Sequence, residues 1–178
     1  MKYFLSIIGY IIVSQIDFAF AGDSGLLSYD TLFSKYEVSI SNSPIKTPSG
    51  FIKKENIWVD NLDKRINPPE INFAGEYYIA LHSCGYECRY YTLHNLITGM
   101  DLTNKIDRFA STEPDPNLAP NQVYFIKLYF KPNSSLLIAR YYKRLDIDKG
   151  DESNYKDCLY LFKNDDFVMN EKECPTYE

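Results

Sequence analysis

The feature that most constrains this chain is a pair of strand-like runs, EYYIALH and RYYTLHN, on either side of the short loop Ser83-Cys84-Gly85-Tyr86-Glu87-Cys88. Both runs are rich in aromatic and aliphatic residues that suit a pleated, half-buried surface. A connection this short leaves little choice but antiparallel neighbours. Three further positions repeat the same logic downstream. LITG carries a turn at Thr98-Gly99, KPNSS separates VYFIKLYF from LLIARYY, and KNDD separates CLYLF from FVMNEKEC; Pro, Asn, Ser and Asp are the residues turns demand. Upstream, Leu27 and then Leu32, Phe33 and Tyr36 of SYDTLFSKYEV recur at roughly helical spacing, and FIKKENIWVDN reads as one or two short strands. No long period of 3.6 residues and no internal repeat interrupts this pattern. The expected class is mainly β: a single antiparallel β-meander or sandwich-like domain with a minor N-terminal helix.

The N-terminus sets the compartment. Lys2 is a short basic start, Tyr3 to Val13 an apolar run too short to span a bilayer, and Ala19-Phe20-Ala21 the small-x-small pattern read by signal peptidase. Asp17 sits just past the apolar run, where a retained span disfavours a charge. The expectation is a signal peptide over residues 1–21 and one exported β-rich domain over 22–178, periplasmic or secreted, without a membrane span after cleavage. A net charge of −5 and a pI near 5.1 leave no basic stripe for nucleic-acid phosphates.

Export changes how the four cysteines read. In an oxidising compartment Cys84, Cys88, Cys158 and Cys174 imply disulfides, and four cysteines allow three connectivities. Cys84–Cys88 and Cys158–Cys174 are the expected pairs. The second follows from hairpin geometry: a loop centred on Asp166 sets Cys158 opposite Cys174. Other readings of the first loop compete with a disulfide. His82, Cys84, Cys88 and His94 have the residue types of a tetrahedral zinc site, although all four crowd into an unusual spacing. A Cys–His nucleophile needs a thiolate beside an imidazole and a third group to orient the ring. The disulfide is favoured over both, so neither a metal nor a cofactor is expected.

The segments NFAGEYYIAL (72–81), CGYEC (84–88), LITG (96–99) and KPNSSLLIA (131–139), with the closing CLYLFKNDDFVMNEK, resemble a family of small uncharacterised exported bacterial proteins. The shared pattern is NFAGxY, then CGxxC, TG and PxSxLL. His82 stands near a position where that family has Trp, Asn133 replaces an Asp, and Met100 replaces a Lys. The resemblance implies export and a β-rich fold, and it brings no catalytic residues with it.

The remaining candidates concern binding. The chain has 16 Tyr and 11 Phe, and Tyr77-Tyr78, Tyr90-Tyr91 and Tyr141-Tyr142 come as adjacent pairs. Neighbours in a strand point to opposite faces, so each pair either sets one ring outward, making an exposed tyrosine row suited to a protein partner, or covers a two-sided sheet. The segment from Asp146 to Asp157 has oxygen ligands at alternating positions, but Gly150 falls at the wrong place for an EF-hand loop. Nucleophile elbows, phosphate-binding loops, dinucleotide fingerprints and His-Glu-x-x-His pairs do not occur. The expected protein is a non-enzymatic domain that binds a partner protein in the manner of an inhibitor or immunity protein, with Tyr78, Tyr90, His82 and His94 as candidate binding residues. The alternative is a small-ligand or metal-binding protein that uses the Cys84–Cys88 loop.

Overall fold

The fold is described from a computed structural model, over residues 29–85, 88–111, 124–143 and 154–169. The signal-peptide segment and Cys174 lie outside the described residues, as does the acidic segment from Asp146, apart from its last residues. Elements follow in the order α1 (Tyr29–Ser34), β1 (Ile52–Lys54), β2 (Ile57–Val59), β3 (Arg65–Ile66), β4 (Tyr77–Ser83) and β5 (Arg89–Asn95). After them come α2 (Thr103–Ile106), a 3-10 turn (Asp107–Phe109), β6 (Tyr124–Tyr129), β7 (Leu136–Lys143), β8 (Tyr155–Lys163) and β9 (Asp166–Met169). All pairing is antiparallel. The strands form a small β1-β2-β3 sheet, the β4–β5 hairpin, and a four-stranded meander β6-β7-β8-β9. The mainly β expectation with a minor N-terminal helix is met.

The main core is a sandwich. Ile79, Tyr91 and Leu93 from the β4–β5 hairpin, with Ile106 and Phe109 from the helical turns, pack on Ile126, Leu137, Ala139 and Tyr160 of the meander. Leu93, Ile106, Phe109 and Leu137 have no exposed surface, and each such side chain contributes roughly 1.5–3 kcal/mol through burial. The outer face of the meander is partly covered by α1, where Phe33 meets Leu136 and Ile138. Arg140 ties that face together, holding Asp157 with two bonds of 2.7 and 2.9 Å, while the Tyr29 hydroxyl bonds both residues. The third layer is the small sheet, which closes the other side of the hairpin through Tyr78, Ala80, Leu96 and Phe51. The middle of the hairpin is therefore buried on both faces.

Local chemistry places the turns. Ala74 and Gly75 both take positive φ (45° and 80°), and the Gly75 N–H donates to Pro132 C=O at 2.7 Å. A Cβ on Gly75 would meet the Ser39 carbonyl oxygen at 2.3 Å, so only glycine fits this crossing of three segments. The last hairpin corrects an expectation. Asn164 and Asp165 both have positive φ (51° and 59°), and Lys163 pairs with Asp166. This is a two-residue turn with the residues such turns prefer. The chain reverses about the Asn164-Asp165 pair rather than about Asp166, and Cys158 is disulfide-bonded, with Cys174 outside the described residues. Cys158 itself is fully buried in the main core.

Candidate functional site

The two faces of the β4–β5 hairpin carry different chemistry. On one face the register sets His82 beside Tyr90, Ala80 beside Thr92, and Tyr78 beside His94. All four predicted binding residues thus share a face, as the strand period of two requires. The Tyr90 ring stacks on His82 at 4.7 Å and an interplanar angle of 12°. Phe51 lies over the row, 5.9 Å from Tyr78, 5.7 Å from His82 and 5.3 Å from His94 between ring centroids. Tyr78, His82 and His94 are buried, and Tyr90 is half-buried. The Tyr78 hydroxyl donates to Asn67 C=O at 2.6 Å, and burial pushes its phenol up to about 12.

His82 is the centre of this face. Its Nδ1 lies 2.7 Å from Asp60 Oδ2 and its Nε2 2.9 Å from Thr92 Oγ1. A carboxylate can only accept, so Nδ1 carries a proton, and in the neutral ring Nε2 accepts from the Thr92 hydroxyl. Asp60 is fixed by the turn between β2 and β3, where its Oδ1 accepts from the Leu62 and Lys64 N–H groups at 2.9 Å each. Burial alone would raise the Asp60 carboxyl. The hydrogen bonds from His82, Lys64 and Leu62 outweigh burial and hold it below the ordinary carboxylate value.

Carboxylate, imidazole and hydroxyl in line is the arrangement that activates a nucleophile. Here it is sealed. His82 is 3% exposed and Asp60 2%, and neither of the two grooves described below is lined by Asp60, His82 or Thr92. Acyl transfer also needs room for a substrate carbonyl and donors for the oxyanion. What the arrangement does is join the small sheet to the hairpin through a buried, fully satisfied polar link.

His94 sits farther along the same face. Its Nδ1 is 3.8 Å from Asp101 Oδ1, and its Nε2 is buried without a hydrogen-bond partner among the described residues. Burial, opposed by Asp101, holds this imidazole below its usual value. Cys84 and Cys88 form a disulfide with a Cα–Cα distance of 5.0 Å. The zinc reading loses both thiolates to that bond, and the Cys–His reading loses its nucleophile. No cysteine among the described residues is a free thiol. The tyrosine pairs follow the two-sided reading: Tyr77, Tyr78, Tyr90, Tyr91, Tyr141 and Tyr142 are all buried or half-buried, so they form no exposed row.

The opposite face opens into a groove of about 530 Å³ between β5 and β6. Leu81, Arg89 and Tyr91 line one side, and Phe125, Ile126, Lys127, Leu128 and Phe130, with Tyr142, line the other. Leu81 is 47% exposed here. The Arg89 guanidinium lies over the Phe125 ring at 5.0 Å, and the Lys127 ammonium over Tyr129 at 5.4 Å. Side chains occupy the edge of β6 that a further strand would otherwise use. Ser111 Oγ accepts from the Ile126 N–H at 3.1 Å, and the Tyr91 hydroxyl donates to Ile126 C=O at 3.4 Å. Burial holds the Tyr91 phenol above its usual value. A smaller groove of about 370 Å³ lies along the other edge of the hairpin, between Arg65, Asn67 and Leu81.

Sequence reasoning found the hairpin and both histidines but missed Asp60, Thr92 and this groove. VDNLD is visibly a turn, and a turn aspartate is a standard backbone acceptor. Its pairing with a histidine across the fold carries no local signal. Compared with known proteins, the chain matches no family model, no curated protein and no solved structure.

Proposed function

We propose that the protein is an exported, non-enzymatic domain that binds a partner protein through the groove between β5 and β6. The observation that supports this reading is the placement of chemistry on the hairpin. The groups with catalytic potential are buried and used for internal bonding, while the open face is apolar, aromatic and flanked by cations. Aromatic residues and arginine around a recess are what protein-binding sites favour. An inhibitor- or immunity-like role is compatible with a rigid, disulfide-closed hairpin that presents such a recess.

Site-specific photo-crosslinking tests the proposal. A photoreactive phenylalanine analogue is placed at Leu81 in the full-length chain expressed with its own N-terminus. A control carries it at Val168, which is 56% exposed and outside the groove lining. The expected result is a discrete protein adduct from the Leu81 position in the periplasmic or secreted fraction and none from Val168. Equal labelling at both positions, or none at either, would overturn the reading.

A further inference from the structure

We infer that the partner segment seated in this groove is acidic, placing an aromatic or branched aliphatic side chain against Leu81 and Phe125 and a carboxylate within reach of Arg89 and Lys127. The inference rests on the reading of the groove as the binding face, and it adds the chemistry of the occupant.

Charge carries the argument. The chain as a whole is acidic, with a net charge of −5, yet the described groove lining holds two cations and no carboxylate. Most cations that meet an acid elsewhere in the described residues do so internally: Arg140 with Asp157, Lys54 with Asp63, Lys131 with Asp30, Lys105 with Asp166. Arg89 and Lys127 form no ion pair among the described residues. Both are exposed, and Arg89 lies against an aromatic face. Stacking orders a guanidinium without using its hydrogen-bonding edge, which leaves a planar fork for a carboxylate. Two cations are too few to hold a phosphate polymer against the remaining acidic surface, so nucleic acid is disfavoured.

The closed edge of β6 determines how the segment docks. Ser111 and Tyr91 already satisfy the Ile126 N–H and C=O. A partner strand therefore gains few main-chain bonds there and has to be held by its side chains. A recess of about 530 Å³ lies within the roughly 300–1,000 Å³ of typical binding pockets, enough for one or two large side chains.

The test is a selection of displayed random dodecamer peptides against the full exported protein, followed by anisotropy titration of the synthesised winners. The expected winners carry Asp or Glu close to an aromatic or branched aliphatic residue. Their affinity should fall at least about tenfold in Arg89→Gln/Lys127→Gln, on the scale of one lost charge-assisted bond, and should weaken as salt rises. Circular dichroism of that variant should match the parent. Winners without an acidic preference, lost on Leu81→Ser but kept in the Gln variant, would overturn the acidic inference and leave the groove reading intact. Winners indifferent to all three substitutions would overturn both.

Discussion

The two faces of the β4–β5 hairpin are built from the same two strands and differ in almost every physical respect. The His82 face holds imidazoles, a carboxylate and a hydroxyl; all are turned inward, and His82, Asp60 and Thr92 are bonded to one another. The Leu81–Tyr91 face holds ordinary apolar, aromatic and basic residues, and it opens between two sheets. Residue type alone points to the first face as the site of function. Burial and hydrogen bonding point to the second. A histidine with both ring nitrogens engaged and almost no exposed surface is part of the scaffold unless something opens it.

Substitutions that break the buried link should have the largest effect. Asp60→Ala strands His82 and two backbone N–H groups in the interior. Removing one partner of a buried pair costs about 3–5 kcal/mol, which urea unfolding of the variant would register as a large drop in midpoint. A loss under about 1 kcal/mol would mean that water already reaches this pair. Next comes the hairpin tip. Reducing Cys84–Cys88 releases a short loop worth about 2 kcal/mol by loop-closure entropy, readable as a lower melting temperature in a Cys84→Ser/Cys88→Ser variant. Tyr91→Phe should cost about 1 kcal/mol, the net value of a buried hydrogen bond, because its hydroxyl donates to Ile126 C=O, readable as a lower urea midpoint.

The pH response separates two residues of the buried face. His94 is held below its ordinary value of 6.5, so below that pH the unfolded chain takes up a proton that the folded chain resists. Stability should therefore begin to fall as pH drops below about 6.5 and level off near the folded value, and His94→Gln should flatten that part of the curve. Asp60 is held below 3.8, so its contribution is intact above that value and is lost only as pH falls through the lower folded value. Stability curves of the parent and His94→Gln that fall with the same slope just below pH 6.5 would contradict the buried state of His94.

Much of this fold was legible because hairpins are local. EYYIALH and RYYTLHN are strands for reasons contained within a few residues, and Gly99 ends the second run with a positive φ that its sequence position announces. The missing parts are long-range or short. Asp60 meets His82 only through the docking of the small sheet, and the groove joins β5 to β6 across a long separation in sequence. Leu102, Ile106 and Phe109 do have helical spacing, but over so few residues that the period carries little weight. The closing hairpin is a different case. Asn164-Asp165 is a strong two-residue turn signal, and it sets the reversal just before the Asp166 centre that the spacing of Cys158 and Cys174 suggested.

Amide and side-chain chemical shifts, recorded while an acidic peptide from the selection is titrated into the labelled protein, compare the two faces in one experiment. The account predicts that the shifts cluster at Leu81, Arg89, Tyr91 and Phe125 to Leu128, with Asp60, His82 and His94 unmoved. Shifts concentrated on Asp60, His82 and Thr92, with the groove silent, would show that the buried link is the working site and that the account has the two faces reversed.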